Sequence, residues 1–433
     1  MTERILTSGT PLANAWLQSP CSVLYEIAKH RPGQDVLLEL GGVMFPLVQS
    51  SKSAREILRN PQGHYQKYFG SYKRLFGESR LTTDGERWRK LRDFSQPHIT
   101  AAKADDIVKY TRAFFQSAVD KLVAASDGTA QPVNDAIDFA AAETLCEVVL
   151  GFQVEDWGSQ TVDDIRLILN LASWENFPRP QGESIDYAML QIDAEDARAR
   201  LLDRFNSMLR ARKADQDDSL FATLAQTDPS EVDIFGELST MLFAGFDTTS
   251  AAITWAMFLL GQDQDLQSRL RDSIRECTQQ GPLSADALLN LTELNAFLLE
   301  TLRIFPPIPL VSRVASSADQ IGDLKILKGS RVLVSMIGIQ HDTNVFDAPL
   351  QVNLDRHPNG QLQKENALNF VPFGDGKRIC PGARFANLEA LTALAVILES
   401  VSIQTPKSDH IGLRWDASMR QEDGTKLILK PLP

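Results

Sequence analysis

The stretch "FGDGKRICPG", Phe373 to Gly382, constrains this chain more than any other. It sets Cys380 at the end of a turn that holds three glycines and two cations, Lys377 and Arg378. Pro381 follows, where proline suits the first turn of a helix, and "PGARFANLEALTALAVILES" reads as that helix. A cysteine at a helix N-terminus meets unpaired N–H groups and the positive end of the macrodipole, both favouring an anion. The nearby cations act the same way, so the turn is expected to lower the thiol pKa and favour thiolate. Gly374 and Gly376 permit a tight turn that aims backbone N–H groups at sulfur. Such a thiolate serves as a nucleophile, a redox sensor or a metal ligand. A lone cysteine builds no zinc site, but it suffices as the single axial ligand of haem iron. The other cysteines, Cys21, Cys146 and Cys277, are far apart and form no CxxC pair, which argues against a disulfide framework or a local zinc site.

Most of the chain has a helical pattern. Helices are expected near 51–59, 85–95, 103–126, 134–152, 159–173, 184–213, 231–261, 264–279 and 291–304, with a last one after Cys380. "DVLLELGGVMFPLVQS" is the early exception, two apolar strands about Gly41-Gly42 that read as a hairpin. Beyond Pro306-Pro307, "LKILKGSRVLVSMI" is strand-like, 342–369 is polar and irregular, and "KLILKPL" reads as a final strand. The fold class is therefore mainly α with small β-sheets (α+β). No Gly/Ser/Pro-rich linker, charge block or internal repeat divides the 433 residues, so one domain over 1–433 is expected. A net charge of −12 argues against nucleic acid as a partner. No apolar run near the N-terminus is long enough for a signal sequence or membrane span, and the reading is a cytoplasmic protein without a membrane anchor.

The cysteine turn resembles the cytochrome P450 signature Phe-Gly-x-Gly-x-Arg-x-Cys-x-Gly, with Phe373, Gly374, Gly376, Arg378, Cys380 and Gly382 at the fixed positions. Three further stretches resemble the same family in the family's order. "AGFDTTS" (Ala244 to Ser250) lies in the expected long helix, where Gly245 and a run of poor helix formers contribute nothing to helix stability. It is similar to Ala/Gly-Gly-x-Asp/Glu-Thr-Thr. "ETLRIFPP" sets Glu300 and Arg303 three apart on one helical face, and matches Glu-x-x-Arg. Arg356 in "VNLDRH" resembles the third member of that ion-pair group, although His357 stands where the family commonly has an aromatic residue. "ERWRKLR" sets Trp88 and Arg92 four apart, similar to Trp-x-x-x-Arg.

The resemblance implies a single-domain P450 fold with a long central helix over haem b (iron protoporphyrin IX). Cys380 is then the iron ligand, Asp247 and Thr248 manage protons, and Glu300, Arg303 and Arg356 form a structural ion-pair group. Trp88, Arg92, Arg313 and Arg378 are placed at the haem propionates, with Ala244, Phe373 and Gly382 also against the cofactor. A thiolate ligand donates electron density to iron and favours O–O cleavage. The implied activity is a monooxygenase that inserts one oxygen atom from O2 into a hydrophobic small organic substrate, by hydroxylation or epoxidation. Thr240, Phe243, Ala244, Ile308 and Leu310 are expected in the substrate pocket, together with 62–84 and the region near 170–190. A peroxide-using, isomerising or dehydrating haem-thiolate enzyme is the alternative, and a non-catalytic haem sensor is a third reading. The intact Asp247-Thr248 pair favours the first. No flavin or iron–sulfur motif is present, so electrons come from a ferredoxin or flavodoxin with an NAD(P)H-dependent reductase. Lys67 to Arg92 holds eight Lys/Arg and three acids, +5 on an acidic chain; Arg87, Arg89 and Lys90 are expected to face an acidic partner.

Overall fold

The structure, a computed structural model, describes residues 4–6, 15–16, 18–40, 42–152, 160–176, 187–211, 219–364, 366–407 and 411–432. The expected ends of two helices, at 159, 184–186 and 212–213, and the 177–186 part of the expected pocket lie outside the described residues.

The helix Ile234–Gln262 crosses the centre of the main hydrophobic cluster and is buried on nearly every face. A helix apolar all round has to be enclosed by others. It is also the one described helix long and apolar enough to cross a membrane, and it is mostly buried in the protein core. Asp233 caps its start by accepting from Gly236 N (2.9 Å) and also accepts from Glu78 N (2.8 Å), which ties the 77–84 turn to the helix. Around it pack Asn134–Leu145, Gln264–Gln279, Thr292–Ile304 and the C-terminal helix Ala383–Ser400. Gly245 owes its identity to this packing. A Cβ there would lie 2.5 Å from Leu145 Cδ2 on the facing helix, and the central helix stays continuous through the Asp-Thr-Thr cluster.

The strands Val36–Leu40 and Val43–Val48 form the expected hairpin, with Leu40 opposite Val43. They join a six-stranded sheet in the spatial order Arg4–Leu6, Val36–Leu40, Val43–Val48, Arg331–Ser335, Leu310–Ala315, Tyr65–Lys67. The helix Ser51–Arg59 and a second apolar cluster around Ile57, Val334 and Val371 lie against it.

Several helices exceed the sequence reading. Pro20–His30, Gly70–Phe76, Leu220–Gln226, Ala285–Asn290 and Met336–Gln340 are helical. The last corrects "SMI", read as the end of a strand: Ser335 caps the new helix by accepting from Gly338 N at 2.9 Å. The expected helix over 134–152 turns into a π-helical segment at Cys146–Leu150 and stops at Gly151 (φ +78°).

Candidate active site

The cysteine turn is pinned from outside. Asp375 pairs with Arg55 and Arg59 (3.0 Å each), and Gly376 lies so close to the helix Ser51–Arg59 that a Cβ would meet Arg59 Cα at 2.7 Å. Gly374 (φ +77°) and Gly376 (φ +71°) adopt the left-handed backbone that the turn requires. Cys380 N donates to Phe373 O (2.9 Å), closing the loop. Its side chain is accessible and lines a cavity of about 360 Å³. The thiol differs from the sequence expectation. Although it opens onto the cavity, the thiol is surrounded by protein, and that desolvation pushes it above its ordinary value; the Gly382 N–H, Arg80 and Lys67, which act in the lowering direction, do not outweigh the cost.

Behind the turn sits an ion-pair group around the fully buried Glu300 and Arg303, with Arg356 reaching in from the edge. Arg303 grips Glu300 at both oxygens (2.7 and 2.9 Å), and Arg356 Nη1 reaches Glu300 Oε2 at 2.7 Å. His357 Nε2 lies 3.0 Å from Glu300 Oε1, and Asn353 N donates to Oε2 at 3.0 Å. So His357, where an aromatic was usual, supplies another contact to the carboxylate. Burial alone would raise the Glu300 pKa, but hydrogen bonds from Arg303 and His357 outweigh it and hold the carboxyl at about 2. Gln340 extends the group: it donates to Leu302 O and Arg303 O and accepts from Val371 N (3.0 Å), two residues before Phe373.

The same cavity is lined by Phe243, Ala244, Gly245, Asp247 and Thr248 of the central helix and by Phe373, Arg378, Gly382 and Phe385. Ile308, Leu310 and Arg313 also line it. Thr248 Oγ1 donates to Ala244 O (3.0 Å). Asp247 is buried, and Arg420 Nη2 donates to its Oδ1 at 2.8 Å while Oδ2 has no partner. Arg420 also pairs with Asp138 (3.0 Å), which pairs with Arg166, which reaches the exposed Asp135 and Asp163. Asp247 is therefore the inner end of a charged chain that runs to the surface. Neither Arg420 nor Asp138 was singled out from the sequence.

Three of the expected site residues lie elsewhere. Thr240 is not on the cavity wall; its hydroxyl donates to Ser79 Oγ (2.8 Å), because the 77–84 turn covers that helical face. Trp88 and Arg92 are also off the wall. Arg92 pairs with Asp93 (2.8 Å), and the Trp88 ring meets two cations, Arg92 at 5.2 Å and Arg378 at 4.5 Å from its centre. Arg87, expected to face outward, is held by Glu78 (2.7 Å) and Glu231 O (2.7 Å), whereas Arg89 and Lys90 are exposed.

Sequence reasoning missed Lys67 as a site residue. It lines the cavity with Arg313 and Arg378, and these three cations share one carboxylate, Asp84. Burial pulls Lys67 well below its ordinary value, with Arg378 and Arg313 adding to the effect; burial brings Arg313 and Arg378 each to about 10. Arg378 Nε and Nη1 are buried without partners. Three basic side chains thus crowd one carboxylate on this part of the wall.

A family profile described as Cytochrome P450 matches residues 16–428. Cytochrome P450 4V2 of Rattus norvegicus is 26% identical over 89% of this chain and 80% of its own length. Cytochrome P450 72A11 of Arabidopsis thaliana is 25% identical (87% and 77%), and a cytokinin hydroxylase of the same plant is 25% identical (83% and 73%). A shorter match, to Cytochrome P450 4V2 of Mus musculus, is 32% identical over 46% of this chain and 39% of that one. The chain belongs to the cytochrome P450 family. It is an oxidoreductase with the family's mainly helical α+β fold, of a class that binds haem b through a thiolate. The site fits that group: a sulfur on the cavity wall, apolar lining, and basic side chains, Lys67, Arg313 and Arg378, with guanidinium nitrogens of Arg378 left free for a propionate.

Proposed function

We propose that the whole chain forms one P450 domain in which Cys380 is the thiolate ligand and the enzyme is a monooxygenase acting on a hydrophobic small molecule. One observation carries this: the cysteine, the Asp247-Thr248 pair and three basic side chains line a single cavity. Bound there, haem supplies oxygen-activating chemistry. Lys67, Arg313 and Arg378 hold its propionates, with Trp88 stacked on Arg378. Arg420 fixes Asp247 Oδ1, which leaves Oδ2 as the oxygen that takes up and hands on a proton, and Thr248 Oγ1 is the adjacent hydroxyl. Phe243, Ala244, Ile308 and Leu310 bound the substrate space. A ligand screen read as a shift of the haem absorption band, followed by product analysis, tests the reading. Turnover with NAD(P)H and a redox chain supports a monooxygenase; turnover with peroxide alone replaces it.

Arg420 is a positioning residue in this scheme. Arg420→Met leaves the buried Asp247 carboxylate unpaired, so stability should drop by about 3–5 kcal/mol. Product formed per NAD(P)H consumed should fall and the solvent deuterium isotope effect should rise, both recovering in Arg420→Lys. An unchanged isotope effect with only a lower melting temperature would leave Arg420 a purely structural role.

Electrons come from a separate cytoplasmic ferredoxin or flavodoxin. Arg89 and Lys90 are exposed on the helix Gly85–Ala101, whose other face stacks Trp88 on Arg378. Reversing both charges should slow reduction by the partner about tenfold at low salt, an effect that fades as salt rises. Stopped-flow reduction across a salt series checks this, and rates indifferent to both charge and salt would remove the docking role.

A further inference from the structure

Among the described residues, three cavity-lining side chains have buried polar atoms without a partner: Asp247, Arg378 and Asn176. The first two are absorbed by proton handling and propionate binding. Asn176 is not. It is the last residue of the helix Gln160–Asn176, it is 2% exposed, and its Oδ1 is bonded to nothing. A buried amide oxygen left unpaired is costly, and the cavity that Asn176 lines also takes in the apolar side chains Phe69, Leu81 and Phe243.

The backbone of Asn176 is held in place. Ser71 Oγ donates to Ala172 O (2.8 Å), Tyr72 Oη and Ser173 Oγ share a hydrogen bond (2.7 Å), and Arg74 pairs with Glu175 (2.6 Å). These contacts staple the end of its helix to the helix Gly70–Phe76. The Asn176 carbonyl accepts from Arg331, whose guanidinium lies over the Tyr68 ring at 4.2 Å. With its backbone fixed in this way, Asn176 presents its amide from a set place on the cavity wall, which lowers the ordering cost of binding a ligand there.

We propose that Asn176 is the specificity-determining polar contact for substrate: its Oδ1 accepts a hydrogen bond from a hydroxyl carried on an otherwise apolar molecule. The inference rests on the monooxygenase reading and narrows its substrate class from hydrophobic molecules to those with an alcohol at one end. A ligand without that group leaves the amide unpaired, and a site built this way rejects such a ligand.

The test uses haem-loaded full-length protein that shows a thiolate-type reduced–carbon monoxide band, so failure of the haem-thiolate reading is recognised beforehand. Binding of two matched pairs, decane with 1-decanol and cyclododecane with cyclododecanol, is titrated by the shift of the haem absorption band. Wild type should bind at least one alcohol about tenfold more tightly than its hydrocarbon. Asn176→Leu should erase that preference while retaining the hydrocarbon, and Asn176→Asp, which keeps an acceptor, should preserve it. A wild type that prefers neither alcohol, or an Asn176→Leu protein with the preference intact, overturns the proposal. A variant that weakens both members of a pair equally assigns Asn176 to structure alone and overturns it too.

Discussion

Glu300→Ala should cost about 3–5 kcal/mol of stability and most of the haem content of the purified protein. The carboxylate is wholly buried and faces Arg303, Arg356 and His357 at once. Removing it leaves cations in a place where water cannot replace it, and truncating one partner of a buried charge group carries a penalty of that order. The damage spreads along the chain. Asn353 loses its acceptor, Arg303 loses its reason to hold the carbonyls of Pro349 and Gln340, and Gln340 is what anchors Val371 ahead of the cysteine turn. Glu300→Gln keeps the shape and drops the charge, which isolates the electrostatic share by a pH series. The folded carboxyl is held at about 2 against an ordinary 4.5. A depressed pKa contributes stability that is complete above 4.5 and drains away as pH falls toward 2, on the order of 3 kcal/mol. The stability gap between wild type and Glu300→Gln should therefore narrow through that window in chemical denaturation. A gap that stays constant there would show that the charge itself is not what the group stabilises.

Different parts of this architecture were legible in the sequence to different degrees, for physical reasons. Long helices announce themselves by a period repeated over several turns, so Ala104–Ala125 and Gln264–Gln279 appear close to where they are expected. Gly70–Phe76 and Ala285–Asn290 span two turns or fewer, too short for any period to register. The cysteine turn and the Glu300–Arg303 pair are local, and their spacing fixes their geometry. Arg420 and Asp247 are 173 residues apart and meet only because strand Met419–Gln421 passes the central helix. Nothing in either neighbourhood indicates the other. Lys67 was counted with a basic surface stretch because charge composition carries no sign of burial; the strand Tyr65–Lys67, paired with Leu310–Ala315, is what turns it toward Arg313. Gly245 was read as a weak point in a helix, yet Leu145 across the interface is what requires it. The thiol of Cys380 is the clearest case of competing effects. Cations and a nearby helix start were visible in the sequence, but the desolvation that outweighs them depends on the fold around it.

That last point sharpens what Cys380→Ser should do. The cysteine side chain opens onto the cavity and contributes little packing, and the turn around it is held by contacts that do not involve sulfur. Asp375 keeps Arg55 and Arg59, Gly376 stays against Arg59, and the backbone N–H at position 380 still donates to Phe373 O. The variant should therefore fold with a stability within about 1 kcal/mol of wild type when both are compared without haem. Function should respond in the opposite way. A serine hydroxyl is a far poorer anion than a thiol, so the electron-rich ligand is lost along with its spectral signature. Reduced protein with carbon monoxide should lack the thiolate-type band, and product formation should fall to background. Cys380→His keeps a metal-binding side chain and should give a nitrogen-type spectrum instead, showing that the cavity still takes up haem. Chemical denaturation of the haem-free proteins, set beside the carbon monoxide spectra of the loaded ones, separates the two effects. A serine variant that retains the thiolate-type band would place the ligand on another residue. One that fails to fold at all would mean the sulfur packs against its surroundings far more tightly than an accessible side chain does.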